Sequence, residues 1–357
     1  MKSEFKLLVI NPGSTSTKVA YYNNLQCISS KSLSHKTEEL DKYKTIIDQY
    51  SLRKQAILEY MEEEGIRLEE LDAVVGRGGM LKPLSGGTYF VNNSMLDDLK
   101  NTRYGKHASN LGAVIANEIA SSVNIPAFIV NPVVVDEFEP LARYSGIPEI
   151  PRKSAFHALN QKAVAMRFAK ESGKDYKDLN LIIAHLGGGI SVAAHKKGRV
   201  VDVNNGLEEG PFSPERTGSV PALQLVEMCF SGRYSKEEIE RKLVGKGGLT
   251  AYLGTSDCRE IEQRIEAGDT DAKNVFEAMA YQISKEIAAC SAVLYGNVDN
   301  ILITGGIARS NILINLIAER VKFIAPLKVY PGEDELAALA EGAFRVLTGE
   351  EKALEYN

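Results

Sequence analysis

Three short turns carry residue types that suit phosphate chemistry. Asn11-Pro12-Gly13-Ser14-Thr15-Ser16 follows the apolar run Leu7 to Ile10, Gly187-Gly188-Gly189 follows LIIAH, and Thr304-Gly305-Gly306-Ile307-Ala308 follows another apolar run. A turn built from small residues exposes backbone N–H groups and lets phosphate oxygens approach closely. The third turn, lacking side chains, would also let a flat adenosine lie against the backbone. Any one of these turns taken alone reads first as a hairpin that needs positive φ. No G-x-x-x-x-G-K-[ST] loop and no protein-kinase glycine loop is present, which excludes the two commonest nucleotide folds.

The elements that must position these turns are duplicated. At a gapless offset of about 174, Leu7 falls on Leu181, Asn11 on His185 and Gly13 on Gly187, with Lys18 resuming the second strand of the first hairpin. At an offset of about 227, DAVVGRGGM from Asp72 falls on DNILITGGI from Asp299, so that Gly78-Gly79 meet Gly305-Gly306. Each half therefore holds a strand–polar turn–strand unit and, later, a strand ending in Gly-Gly. The longer interval in the second half predicts an insertion within 205–265. Helical periodicity is expected over 38–63, 155–171, 272–295, 311–321 and 336–347, the fourth capped at Ser310-Asn311. Strands alternating with helices imply an α/β architecture of two similar lobes with a cleft between them, where small ligands usually bind. The expected lobes are 1–155 and 156–357, with the terminal helix 336–348 packing back on the first.

Composition narrows the remaining classes. A chain of 357 residues exceeds one comfortable core, and 44% hydrophobic with 25% charged residues is ordinary globular usage. A net charge of −5 without a basic run argues against a nucleic-acid partner. Four scattered cysteines form no C-x-x-C, and the five histidines complete no zinc pattern with them, so free thiols in a reducing cytoplasm are expected. No apolar stretch approaches the roughly 20 residues of a membrane helix, and the N-terminus reads as a buried strand rather than a signal segment.

Read together, LLVINPGSTSTK, AHLGGGISV and ILITGGIARS resemble the acetate and butyrate kinase family, within the actin, Hsp70 and sugar-kinase superfamily. The resemblance runs from about residue 5 to 348. VVGRGGMLKPLSGGTYFVN, KHASNLGA and PVVVDEFEPLARYSGIPEIPRKSAFH resemble its butyrate-kinase members. It implies a duplicated actin-like ATPase (ribonuclease H-like) fold, Mg2+ with ATP or ADP, and reversible transfer of a phosphoryl group to a short-chain fatty acid. A homodimer or larger homo-oligomer is implied as well.

Position by position, the resemblance implies two arginines, Arg77 and Arg216, flanking the acceptor carboxylate and the moving phosphoryl, where a permanently charged planar fork suits oxyanions. Asp136 matches the catalytic aspartate and Glu335 the metal-side glutamate, with Asn11 at the same site. These are the hard oxygen donors that magnesium prefers. His157 and His185 fall where the family steadies phosphoryl oxygens, and His107 lies near the substrate. Gly13, Ser14, Thr15, Ser16 and Lys18 are implied at the nucleotide from the first half. From the second half come His185, Gly187, Gly188, Gly189, Gly305, Gly306 and Ile307. Bland readings exist beside these: Asp136 as a cap, Glu335 in a helix first turn, Arg216 in an ion pair with Glu215 or Glu209. His35 and His195 read as structural.

For the acid, acetate kinases carry R-V-V-H-G-G where this chain has Arg77-Gly78-Gly79-Met80, and H-L-G-N-G where it has HLGGG. Smaller side chains beside the carboxylate-binding arginine imply a larger acyl pocket, including Phe156 and the Gly78–Met80 turn, that favours butyrate. Isobutyrate, isovalerate, valerate, propionate and acetate remain alternatives. A sugar kinase of the same superfamily would need an aspartate base and typically an Asp-x-Gly-x-[ST] hairpin, whereas Asn11 takes that place here. A non-enzymatic ATP switch is the more distant alternative, and the chain has no separate substrate domain to support it.

Overall fold

The computed structural model describes Lys2 and residues 4–357. The chain forms two compact units, Met1–Val135 with Asp334–Asn357, and Asp136–Glu333. The divide expected at 155 falls inside the second unit.

The first unit is a six-stranded mixed sheet in the order β3-β2-β1-β4-β6-β5. Its strands are β1 (Lys6–Pro12), β2 (Ser16–Asn23), β3 (Gln26–Ser34), β4 (Ala73–Gly76), β5 (Thr88–Phe90) and β6 (Ala127–Val130). Leu7 to Ile10 are fully buried, as a strand covered on both faces requires. Leu8 and Ile10 pack with Ile57 and Tyr60 of the helix Tyr50–Glu63 and with Leu111 and Ile115 of the helix Asn110–Ser122. The helix Glu335–Leu347 packs against β1, β4 and β6. The helix expected over 38–63 is interrupted. Only Thr37–Leu40 and Tyr50–Glu63 are α-helical, with a 3-10 turn at Ile47–Gln49. The turn-prone Asp41-Lys42-Tyr43-Lys44 carries charge but only one apolar residue to bury.

The second unit repeats the plan in the order β11-β10-β7-β8-β9. Its strands are β7 (Asn180–Leu186), β8 (Ile190–Lys196), β9 (Arg199–Val203), β10 (Asn300–Gly305) and β11 (Leu327–Pro331). Ile182, Ala184 and Leu186 face a core with the helices Thr270–Val293 and Asn311–Val321, while Leu181 and Ile183 face the helix Ala158–Glu171. Ser310 caps the helix that follows it by accepting from Leu313 N at 3.1 Å. Four helices, Ala222–Phe230, Lys236–Leu243, Gly248–Leu253 and Cys258–Glu266, occupy the stretch expected to be inserted.

The duplication holds at the level of register. Leu7 pairs with Ala73 in the parallel β1–β4 ladder, and Leu181 pairs with Asn300 in β7–β10, the positions that offsets of about 174 and 227 bring together. Asp72 N donates to Lys6 O at 2.8 Å and Asp299 N to Asn180 O at 2.8 Å. The side chains close both clamps: Lys6 N reaches Asp72 Oδ2 at 2.8 Å and Asn180 N reaches Asp299 Oδ2 at 2.8 Å. A third correspondence joins NIPAFIV and IAPLKVY. Val74 N donates to Pro126 O at 3.1 Å, and Ile301 N to Pro326 O at 2.8 Å. Among the described residues no helix is long and apolar enough to cross a membrane.

The end of β4 is held by backbone contact alone. A Cβ at Gly76 would lie 2.3 Å from Gly112 O, and a Cβ at Gly112 would lie 2.4 Å from Arg77 O. Alanine gains about 1 kcal/mol of helix propensity over glycine, but here its methyl meets backbone that cannot swing aside. Gly112→Ala is therefore expected to lose about 1–2 kcal/mol net, read as a lower urea midpoint at unchanged slope. A variant as stable as the parent would sink this account of the packing.

Candidate functional site

In the first unit, the parallel ends of β1 and β4 bring Asn11 and Arg77 onto one carboxylate. Glu335 opens the helix Glu335–Leu347, whose N-cap Asp334 accepts from Ala337 N at 3.0 Å. Its Oε2 accepts from Asn11 Nδ2 at 2.7 Å, and its Oε1 pairs with Arg77 Nη1. The pair is largely buried, with side-chain exposures of 13% and 19%. Glu335 does sit in a helix first turn, but its carboxylate is directed at two of the predicted residues. Lys18 lies opposite Asn11 in the β1–β2 ladder and is exposed. Gly13, Ser14, Thr15 and Ser16 form the tip between these strands, closed by Gly13 N donating to Ser16 O at 2.8 Å.

His107 is also in this unit. Its Nδ1 meets Ser109 Oγ at 2.8 Å. Partial desolvation of the ring, and secondly the Arg77 charge, lower its pKa, so it favours the neutral form. The Gly78–Met80 turn is clamped to the start of the helix Asn110–Ser122. Asn110 Oδ1 accepts from Met80 N at 2.8 Å, and its Nδ2 donates to Gly105 O at 3.0 Å. A Cβ at Gly78 would meet Pro132 Cβ at 2.5 Å, and one at Gly79 would meet Asn110 Oδ1 at 2.5 Å. These two glycines answer to packing. The space their missing side chains leave is filled by the chain itself, which corrects the inference that they enlarge a pocket.

In the second unit, the corresponding ends of β7 and β11 gather His185 and His157 around Glu333. His157 precedes the helix Ala158–Glu171 and caps it, its Nδ1 accepting from Asn160 N at 3.4 Å. Its Nε2 lies 3.3 Å from Glu333 Oε2, and His185 Nε2 lies 3.2 Å from Glu333 Oε1. The two rings are tilted by 43° to each other with centroids 4.7 Å apart. His185 Nδ1 meets Asn160 Oδ1 at 2.8 Å, so the ring is held between Asn160 and Glu333. Bonds from His157 and then His185 hold the Glu333 carboxyl well below the usual range, against the opposing effect of burial. Glu333 was not singled out by sequence reasoning. It stands in Gly332-Glu333-Asp334-Glu335, where only Glu335 matched a known pattern. The signal that finds it is its position one residue after the reciprocal Gly305–Gly332 bridge, bonded at 3.2 and 2.8 Å.

Gly187 and Gly188 line a cavity of about 320 Å³ together with Gly306, Ile307, Pro214, Glu215, Ser256 and Glu333. Gly306 is open to solvent, with nothing near its Cβ direction. By contrast, Gly305 takes φ +95°, and a Cβ there would lie 2.3 Å from Leu186 O. Gly188 thus belongs with Gly306 and Ile307, so the HLGGG difference bears on this cavity rather than on the Arg77 turn. Arg216 is half-buried and donates to Gly206 O at 2.8 Å. A Cβ at Gly189 would fall 2.1 Å from Arg216 Nη1, so glycine there makes room for the guanidinium. Burial lowers the Arg216 pKa and Glu215 opposes it, and the group remains a cation. Glu209, an expected partner of Arg216, pairs with Arg152 instead. Asp136 is gripped by Arg143 through two bonds of 2.8 Å and accepts from Phe138 N at 3.2 Å. Phe156 is buried.

The donor types test the expected metal. Asn11, Glu335 and Asp136 offer oxygen, which suits magnesium, although guanidinium groups already occupy both carboxylates. The ligand atoms of His157, His185 and Glu333 lie within 4.8 Å of one another, but their mixed nitrogen and oxygen set suits softer ions than magnesium.

Because its native pKa is depressed, Glu333 contributes stability that is present above its unfolded value of 4.5 and lost as pH falls below that value. Glu333→Gln is expected to unfold at lower temperature than the parent at pH 7, with the gap narrowing progressively as pH falls below 4.5. Parallel melting curves across that range would remove Glu333 from this role.

The sequence pattern of the acetokinase family matches residues 146–337, a little over half of the chain. Solved structures are similar over nearly all of it. Porphyromonas gingivalis acetate kinase shares 19% identity and a TM-score of 0.77, covering 96% of this chain and 100% of that one. A propionate kinase from Francisella tularensis shares 19% identity at a TM-score of 0.71, covering 95% and 98%. A ROK hexokinase from Thermus thermophilus shares 13% identity at 0.51, covering 95% and 98%. These likenesses place the two units in the actin-like ATPase fold. By the match across its second unit and on to residue 337, the chain belongs to the acetokinase family.

Proposed function

We propose that the protein transfers the γ-phosphoryl group of ATP to the carboxylate of a short-chain fatty acid, reversibly, with butyrate the preferred acid. The observation that carries this reading is Arg77, a guanidinium at the end of a buried strand in a chain of this family, shared with Asn11 by Glu335. A carboxylate oxygen attacks the γ-phosphorus as the bond from that phosphorus to the ADP oxygen breaks. The acid is ionised at neutral pH, so no general base is needed. Arg77 is assigned to the acid carboxylate. Arg216, His157 and His185 are assigned to charge on the moving phosphoryl, where fixed cations and N–H donors stabilise the transition state. The Gly13–Ser16 turn and the Gly187, Gly188, Gly306 and Ile307 cavity are assigned to the nucleotide. Magnesium, when bound, neutralises phosphate charge, and Asn11, Asp136 and Glu335 would hold it.

The Arg77–Glu335 pair has a structural and a chemical part that two variants separate. Arg77→Met removes the guanidinium from the largely buried Glu335 carboxylate, and should lower both stability and kcat/KM, the latter on the order of 100- to 1,000-fold. Adding Glu335→Gln should restore stability without restoring activity. Recovery of activity in the double variant would remove Arg77 from the acid site.

Acid preference is measured by trapping acyl phosphate as the hydroxamate across acids of two to five carbons. Butyrate is expected to give the highest kcat/KM, with each neighbouring acid lower by about 10- to 100-fold, since one methylene in a pocket is worth about 1–3 kcal/mol. Acetate giving the highest value would overturn the choice of acid while leaving a carboxylate kinase.

A further inference from the structure

Arg53, on the helix Tyr50–Glu63, is fully buried, and none of the roles above uses it. Its bonds run to the tip of the first hairpin. Nη1 donates to Gly13 O at 2.8 Å, Ser16 O at 3.1 Å and Thr17 Oγ1 at 3.1 Å, and Nη2 donates to Ser14 O at 2.8 Å. Gln49 Oε1 orients the group from behind, accepting from Nε at 3.2 Å and Nη2 at 3.0 Å. The remaining tip carbonyl, Thr15 O, accepts from His35 N at 2.8 Å. All four carbonyls from Gly13 to Ser16 are thus drawn inward. Ser14 and Thr15 are exposed, and among the described residues their amide N–H groups have no protein partner.

Among the described residues no carboxylate forms an ion pair with Arg53, so a buried cation stands behind the turn without a counter-ion. Thr17 Oγ1, accepting from Arg53, is left to donate to His35 Nε2 at 2.9 Å. That requires a neutral imidazole, and burial followed by the Arg53 charge lowers the His35 pKa accordingly.

We propose that Arg53 is a positioning residue for phosphoryl binding: it withdraws the carbonyls of the Gly13–Ser16 turn and leaves an amide-lined, positively backed surface for an anion. This rests on the nucleotide reading of that turn. A turn whose carbonyls faced outward would repel phosphate oxygens, whereas outward amides attract them. Guanidinium suits the task because its planar fork can serve several carbonyls at once and it stays charged when buried.

The test is calorimetric binding of ATP and of adenosine to the whole chain and its variants. In the parent, ATP is expected to bind more tightly than adenosine. Arg53→Met should cut that ratio on the order of 10- to 100-fold, the worth of charge-assisted hydrogen bonds, with adenosine binding unchanged. Arg53→Lys, which keeps the charge but not the fork, should fall between. If Arg53→Met fails to fold, Arg53→Lys and Gln49→Leu carry the test, each lowering the ratio several-fold. A folded variant that keeps the ratio, or that loses ATP and adenosine in step as a purely structural residue would, overturns the inference, as does a parent that does not prefer ATP. A parent that prefers ATP yet makes no acyl phosphate overturns the carboxylate reading and leaves Arg53 in place.

Discussion

One aspartate in each unit sets the register on which everything else depends. Asp72 and Asp299 each stand one residue before an inner strand and clamp the neighbouring strand's start through both backbone and carboxylate. In a sheet buried on both faces, a slip of one residue would exchange the two cores, so the pairing is strongly specified. The functional consequence appears at the other end of the strands. Ile10 ends level with Gly76, so Asn11 and Arg77 emerge side by side. His185 ends level with Thr304, so Leu186 and Gly305 do the same. Side chains and turns at the carboxyl ends of parallel strands are where ligands bind in open α/β sheets.

The two units then handle charge differently. In the first, Arg77 is balanced by Glu335, whereas Arg53 meets only neutral oxygens, carbonyl and hydroxyl, and leaves a net positive charge behind the turn. In the second, Glu333 is shared by two imidazoles, and Arg216 leans on Gly206 O beside a glycine that cannot bear a side chain. Pairing Arg77 and Asp136 with Glu335 and Arg143 keeps each charge compensated where it is partly buried. Any oxyanion or cation that binds at these groups must therefore exchange one partner for another rather than meet a bare charge.

Much of the fold was legible because its signals are local and repeated. Apolar runs ending in small-residue turns mark both hairpins, and the equivalences at the two gapless offsets are kept in the ladders, where Leu7–Ala73 matches Leu181–Asn300. The third repeat, at Pro126 and Pro326, escaped notice because it keeps only a proline and alternating apolar residues. The helix expected from 38 is broken at Asp41–Lys44, where no apolar face exists. Among site residues, Arg77, Asn11 and Glu335 lie together. Asp136 has an arginine partner that spacing could not announce. Glu333 and Arg53 were invisible for a shared reason. The groups each one acts on lie more than a dozen residues away, and a charged residue on a helix or after a strand ordinarily reads as solvated surface.

The same limit bears on acid choice. Gly78 and Gly79 look like vacated space in the sequence, yet Pro132 and Asn110 fill that space in the fold. A missing side chain is evidence of room only where its Cβ direction is open. Met80, at the end of the Gly78–Met80 turn, is half-buried, its backbone pinned by Asn110 and its side chain close to Gly105. An unbranched thioether adapts its shape to what it meets instead of presenting a rigid wall. An acid site bounded by such a side chain would hold the cost of one methylene more or less within the about 1–3 kcal/mol ordinary for a pocket. Discrimination among neighbouring acids should then be graded by chain length, without a sharp cut-off at any one of them.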